Sequence, residues 1–390
     1  MRNTATVFSL IAALSVSFLV LGNARTGDAQ ETSGDAPAVP PPYVMPQSGP
    51  FHPERIAVEN AAAIAAWSRS GHSDAAAEAF AHWNEDGEIP AVCSVCHSGA
   101  GFRAFHGLDG SAPGLPENPM PIGGVVDCET CHSPKLSSVT EIRFPSGIAH
   151  PVSAAEAACL TCHQGRAAGA TVAKAIGTRG DDTPDPELGF VNPHYATAAA
   201  TWLGGYGGAG YHYPGKEYSG RFFHARPLAT CASCHEPHSL EVASATCGTC
   251  HENATPREIR LSRQSYDGSG NLSVGIRSDI LGNADRLMQL LKEYAAGVAG
   301  TAMVYDGHRH PYFFADANGD GQADQAEGKP VAYNAWTPRL LRAAFNWKLV
   351  TADPGAYAHN PHYALELLYD STEDLAQRLG LDVAAMGIRR

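Results

Sequence analysis

Apolar residues recur at helical spacing most clearly in the last third of the chain. One face of a helix is marked by Ile280, Ala284, Leu287, Met288 and Leu291. Thr337-Pro338 is typical of an N-cap followed by proline at the first helical position. Asn360-Pro361 repeats that signal, and Gly380 is the predicted end of the helix that follows. The pattern predicts a mostly helical C-terminal region.

Helical periodicity is weaker in the rest of the chain. Residues 55–83 are alanine-rich and predict helix, whereas the glycine and proline content of residues 93–251 predicts loops and short helices. Residues 203–220 are rich in tyrosine and glycine and predict one long loop. The fold class expected from these patterns is mainly α with extensive loops.

The N-terminus has the pattern of a removable secretory signal. Arg2 provides a positive start, residues 8–21 form an apolar run, and residues 22–24 are small or polar, as at a cleavage site. We expect residues 1–24 to be removed and residues 25–50, rich in proline and alanine, to form a flexible lead-in. A membrane span needs about 20 apolar residues, so none is predicted in the mature chain. An uncleaved anchor remains the alternative.

The charge balance narrows the range of partners. The formal net charge is -13 at pH 7, which argues against nucleic acid because nucleic-acid binding needs a basic surface. An acidic surface suits docking to basic patches of protein partners.

All ten cysteines belong to five C-x-x-C-H segments, each ending in histidine. The segments are Cys93, Cys96 and His97; Cys128, Cys131 and His132; Cys159, Cys162 and His163; Cys231, Cys234 and His235; Cys247, Cys250 and His251. Two thiols three positions apart can bond to the two vinyl groups of one haem, and the histidine that follows can bind its iron. The motifs therefore predict five c-type haems and a fold organised around a chain of covalently bound haems.

Three other uses of C-x-x-C explain the sequence less well. Disulfides would leave the histidine after every pair unexplained, and zinc ribbons do not require it. A thioredoxin-like site occurs once, near a βαβ pattern, which is missing here.

The chain has more histidines than the five predicted irons would need as their second ligands. Of 18 histidines, five follow the motif cysteines and thirteen remain, against six methionines in all. We therefore expect two histidines at most or all irons. The preferred candidates are His72, His194, His224, His238 and His359, with His82, His150, His308, His310 and His362 in reserve.

A twelve-residue segment matches the calcium-binding loop at every ligand position. Oxygen-bearing side chains lie at positions 1, 3, 5, 9 and 12, glycine lies at position 6, and position 7 provides a backbone carbonyl. The corresponding ligands are Asp316, Asn318, Asp320, Gln322, Asp324 and Glu327. Proline-containing flanks predict no exit helix, so we expect one structural Ca²⁺ rather than a sensor.

Several segments resemble one group of proteins. These are residues 70–74 (SGHSD), 80–83 (FAHW), 192–195 (NPHY), 213–216 (YPGK), 234–240 (CHEPHSL) and 358–360 (AHN), beside the five motifs. Over roughly residues 50–375 the chain resembles secreted multihaem cytochromes of anaerobically respiring bacteria. The resemblance implies haems with two histidine ligands and electron transfer in the periplasm or outside the cell.

Three functions are compatible with this reading. We expect an electron carrier whose partners are redox proteins or other copies of itself. A reductase of nitrite, hydroxylamine or a sulfur oxyanion would need an iron with an exchangeable position, whereas the surplus histidines can close every iron. A subunit of a haem filament could borrow a ligand such as His52 from a neighbour.

We expect residues 51–265 to bind the haems and residues 266–390 to form the helical C-terminal region with the calcium loop.

Overall fold

The computed structural model describes residues 53–252 and 255–390, with side chains from residue 60 onward. The expected signal, the lead-in and His52 lie outside the described residues. Helices dominate: α1 Pro53–Trp67, α2 Glu78–Ala81, α3 Ala91–His97, α4 Gly99–Phe105, α5 Cys128–His132, α6 Ala154–Cys162, α7 Gly169–Ile176, α8 Ala198–Gly207, α9 Ser244–Cys247, α10 Ile276–Gly297, α11 Pro338–Thr351, α12 Ala356–His359 and α13 Pro361–Leu379.

The strands are short and pair only in twos. They are β1 Glu88–Ile89 with β2 Met120–Pro121, β3 Glu141–Arg143 with β4 Ala149–Pro151, β5 Met303–Tyr305 with β6 Phe313–Ala315, and β7 Gln325–Ala326 with β8 Lys329–Pro330. All four pairs are antiparallel. The described chain is thus mainly helical with small β-ladders, as the sequence predicts.

The C-terminal helices begin and end where the sequence signals predict. Thr337 Oγ1 accepts a hydrogen bond from the Leu340 backbone N–H at 3.1 Å, which caps α11. Asn360 Oδ1 accepts one from the Tyr363 N–H at 3.2 Å, which caps α13. Gly380 ends α13 in the left-handed conformation. Local capping chemistry therefore fixes both helices.

Two hydrophobic cores support the fold. The larger core contains the buried faces of α10, α11 and α13 together with α7, and α11 is buried along nearly its whole length. The smaller core packs Phe102 of α4, Leu160 of α6 and Leu203 of α8 against the β3–β4 ladder. Helix α8 joins the cores, because Ala200 lies in the larger and Leu203 in the smaller.

The prediction of one long loop over residues 203–220 is wrong at its start, because α8 continues to Gly207. The helix bends at Gly204, which has a positive φ of 54°. A Cβ there would lie 2.5 Å from Asn360 Nδ2 and 2.8 Å from the Gly220 carbonyl oxygen. Close packing against the α13 cap therefore requires glycine inside this helix.

Candidate haem centres

The five C-x-x-C-H motifs lie in short helical turns. Helix α3 ends on His97, α5 is the second motif itself, and α6 ends on Cys162. The fourth motif begins in the 3-10 turn Cys231–Ser233, and α9 ends on Cys247. Residues three apart in a helical turn share one side, so both thiols of a motif can face one ligand.

A hydrogen-bonded cap orients the second motif. The Asp127 carboxylate accepts hydrogen bonds from the Thr130 N–H at 3.0 Å and from the Thr130 hydroxyl at 2.9 Å. Arg103 of α4 donates to the same oxygen at 2.6 Å. Because Asp127 immediately precedes Cys128, this network ties the motif to α4.

Thiols of different motifs lie beside one another. The Cys96 thiol lies beside that of Cys162, and the Cys159 thiol lies beside that of Cys231. Cys131 lies near enough to Cys159 and Cys162 to interact electrostatically. Cys234 and Cys247 also lie near enough to each other to interact electrostatically. No disulfide joins any of the ten cysteines. The third motif therefore adjoins the first, second and fourth, and the fourth adjoins the fifth.

Each motif histidine faces a different one of the five preferred candidates. The distances between ring centroids are 6.4 Å for His72 and His163, 5.8 Å for His194 and His97, 6.2 Å for His224 and His251, 5.9 Å for His238 and His132, and 6.3 Å for His359 and His235. His238 thus faces the second motif, although it follows the fourth in sequence.

These separations fit two imidazoles on opposite sides of one iron. A metal–nitrogen bond to histidine is about 2 Å long, and the ring centre lies roughly 1 Å beyond the nitrogen. Two such ligands therefore have centroids about 6 Å apart, which the five pairs match. The residues of the chain thus suit a haem iron at each motif.

Hydrogen bonds at Nδ1 leave Nε2 available in several of these histidines. Nδ1 of His97 lies 2.6 Å from the Ala79 carbonyl oxygen, and Nδ1 of His163 lies 2.8 Å from that of Ala196. A carbonyl can only accept, so Nδ1 must carry the proton in both rings. An imidazole in that tautomer presents an unprotonated Nε2, the form that binds a metal.

Burial keeps four of the ten paired histidines neutral by lowering their pKa. It lowers the pKa of His72 to about 4, with a smaller effect from His163, and it lowers the pKa of His194 to about 4. Burial also lowers the pKa of His97 and of His235. At pH 7 these rings have a free lone pair for a metal ion.

The remaining described histidines have other neighbours. His82 bonds to the Glu78 carboxylate, His106 Nε2 lies 3.0 Å from the Thr161 hydroxyl, and His212 Nε2 lies 2.9 Å from the Tyr363 hydroxyl. His150 is buried between Trp202 and Tyr206. None of the reserve candidates in the described chain faces a motif histidine as a ring neighbour.

The two Asn-Pro-His-Tyr segments serve different purposes. In the first, His194 has a φ of 87° and faces His97. In the second, Asn360 caps α13, and His362 lies beside Tyr266 instead. The histidine that reaches a motif there is His359, one residue before the tetrapeptide. The tetrapeptide alone is therefore a poor guide to the ligand.

The calcium loop is compact around its first residues. Asp316 is buried, and its two carboxylate oxygens accept hydrogen bonds from the Asp320 and Gly321 N–H groups at 3.0 and 3.1 Å. Asp324 accepts one from the Ala317 N–H at 2.8 Å. Glu327 lies in the turn of the β7–β8 hairpin, so no exit helix follows.

The acidic groups of this loop are not gathered into one cluster. Within residues 53–252 and 255–390, no three histidine, cysteine, aspartate or glutamate side chains are arranged to hold a metal ion. Calcium therefore stays a prediction.

Comparison with known proteins identifies relatives in one organism. The C-type polyheme cytochrome OmcB of Geobacter sulfurreducens is 27% identical over 393 residues, which cover 81% of this chain and 48% of OmcB. The C-type polyheme cytochrome OmcC is 26% identical over 392 residues, which cover 82% of this chain and 47% of OmcC. The chain spans about half the length of the curated relatives it matches. No family model and no solved structure matches it.

These similarities support a multihaem c-type cytochrome, with haem as its cofactor and electron transfer as its general function. Across the part of the chain that the structure describes, no helix combines the length and apolar character needed to cross a membrane.

Proposed function

We propose that the chain is a secreted electron-transfer protein with five c-type haems, each bound by two histidines. The five histidine pairs are the observation that carries the proposal, because they use every motif and leave no motif histidine without a facing ring. When bound, haem iron supplies a centre that accepts and releases one electron. The ten motif cysteines would attach the haems.

Contacts between motifs support transfer through the chain. The Cys96 and Cys162 sulfurs lie beside each other, as do those of Cys159 and Cys231, so the attachment sites of the first, third and fourth motifs are adjacent. Electrons can pass quickly only between closely spaced cofactors. The acidic surface favours basic redox proteins as partners, and further copies of the chain are the alternative.

Carbon monoxide distinguishes this function from a reductase. The protein purified from the periplasm should contain five haems per chain by mass and pyridine haemochrome, and the reduced form should bind no carbon monoxide. Two strong histidine ligands leave no free position on the iron. Binding at about one haem in five would contradict the proposal and make nitrite, hydroxylamine and tetrathionate the substrates to test.

The calcium loop gives a separate prediction. Calcium at a hundredfold excess over its Kd should stabilise the fold by about 2.7 kcal/mol, because it binds only the native loop. Asp320→Ala should remove this calcium-dependent rise in Tm, since Asp320 is an exposed predicted ligand. Asp306→Ala, ten residues before the first residue of the loop, is the control that makes the same replacement. An equal rise in wild type, both variants and magnesium buffer would argue against a specific site.

A further inference from the structure

Two of the paired histidines donate to carboxylates instead of carbonyl groups. His238 Nδ1 lies 3.2 Å from Glu236, whose side chain is 46% exposed. His359 Nδ1 lies 2.8 and 3.0 Å from the two oxygens of Asp353, whose side chain is only 2% exposed. Water screens the first pair far more than the second, so the two carboxylates should act on their rings with different strength.

The turn before α12 holds Asp353 and His359 together. The Gly355 N–H donates to the Asp353 carboxylate at 3.0 Å, which fixes the acceptor. A Cβ on Gly355 would lie 2.6 Å from His359 Cε1 and 3.0 Å from Nδ1, so the ring packs directly on this glycine. The imidazole is therefore held against the carboxylate from two sides.

A buried carboxylate on a ligand histidine favours the oxidised metal. It strengthens the ring as an electron donor, and its negative charge stabilises the extra positive charge of ferric iron. Because Asp353 is buried, salt and solvent weaken this effect little. The same contact on an exposed side chain, as at Glu236, gives a smaller effect.

A buried cation lies near a different histidine pair. Lys348 of α11 is 7% exposed, and its Nζ donates to the Tyr305 hydroxyl at 2.9 Å. The same nitrogen lies 5.0 Å from the ring of Tyr195 and 5.6 Å from that of Tyr312. Such aromatic faces stabilise an ammonium group.

Lys348 acts on the first motif through its charge. Its Nζ lies 5.0 Å from the ring of Tyr195, the residue after His194, which faces His97. Its charge acts on the His194 ring in the same direction as that of Arg166, and more weakly. A positive charge near an iron opposes its oxidation, which is the opposite of the Asp353 effect. Lys348 lies in the last turn of α11, and Asp353 lies two residues beyond the end of that helix.

Hydrogen bonds connect the C-terminal end of α11 to the residues that follow His194. The Ala196 N–H donates to the Ala352 carbonyl oxygen at 3.0 Å, and the Thr197 hydroxyl donates to that of Leu349 at 3.3 Å. The third motif lies between the two affected pairs, since Cys162 contacts Cys96 and Cys159 contacts Cys231. Residues 348–353 thus place a positive charge on one side of the third motif and a negative charge on the other side.

We propose that residues 348–359 impose a potential difference along the haem chain, with Asp353 lowering the potential at the fourth motif and Lys348 raising it at the first. This inference rests on the proposed function. Asp353 and Lys348 are positioning and tuning residues that touch no electron partner. Electrons entering at the fourth motif would move through the third toward the first.

Spectroelectrochemical titration of the holoprotein at pH 6 tests the inference. Asp353→Asn keeps an acceptor oxygen but removes the charge, so one of the five midpoint potentials should move upward. Glu236→Gln is the matched control and should give a clearly smaller shift. Lys348→Gln should move one midpoint potential downward, whereas Lys348→Arg, which keeps the charge, should leave all five potentials at their wild-type values.

Different outcomes would contradict this inference and the proposed function on which it rests. If Asp353→Asn holds five haems with wild-type spectra yet shifts no potential upward, or no more than Glu236→Gln does, the inference is overturned while the function stands. If the midpoint potentials of Lys348→Gln are identical to those of the wild type, the inference that Lys348 raises the potential at the first motif is overturned. Fewer than five haems, or carbon monoxide binding, in the wild-type protein contradicts the proposed function instead.

Discussion

Replacing His238 with alanine should open one iron of five to carbon monoxide. His238 faces His132 at 5.9 Å with rings only 6° from parallel, so its removal takes away one of the two proposed ligands of the second-motif iron. The reduced variant should bind carbon monoxide at about one fifth of its haem, whereas the wild type should bind none. Absorbance difference spectra of the purified proteins measure this fraction directly.

An exposed histidine outside the pairs provides the control. His82 bonds to Glu78 on the surface, and its side chain is 59% exposed. His82→Ala should behave as wild type. If neither variant binds carbon monoxide, His238 is not an iron ligand. If both variants bind it equally, the substitutions destabilise the fold in general and do not remove one specific ligand. Because His238 is also largely outside the cores, the variant should still fold.

The second large effect concerns stability. Asp279→Asn should lower the free energy of unfolding by about 3–5 kcal/mol, because it leaves a buried arginine without its counter-charge. The Asp279 side chain is fully buried and bonds to Arg260, whose side chain is 6% exposed. The carboxylate also accepts a hydrogen bond from the Tyr266 N–H at 2.7 Å. The contact ties the segment after the fifth motif to the start of α10.

Urea unfolding followed by far-ultraviolet circular dichroism measures this change. Asp285→Asn is the matched control, since it makes the same replacement on an exposed position of the same helix. It should leave the urea midpoint nearly unchanged. A midpoint for Asp279→Asn within the range of the control would show that Arg260 finds another partner. Neither variant should bind carbon monoxide, because no histidine pair is altered.

Sequence reasoning located the elements whose signals are local. The caps at Thr337 and Asn360 and the stop at Gly380 were predictable, because each depends on hydrogen bonds within a single turn. Helix α8 was not predicted, and its last residues were assigned to a loop, since its bend at Gly204 depends on contact with Asn360, far away in the chain. The hydrogen bond between His359 and Asp353 was missed altogether, although an aspartate in a tight turn just before a candidate histidine was a usable signal.

The sequence by itself determined where haem attachment is predicted, because a C-x-x-C-H motif places its thiols and histidine within five consecutive residues. It also produced the five candidate partners, since histidine was in excess. Only the tertiary structure decided which candidate faces which motif. That pairing depends on how distant helices and loops pack, as His238 shows by facing His132, and no local pattern encodes it. Burial likewise distinguishes Asp353 from Glu236, because exposure to water is a property of the folded chain.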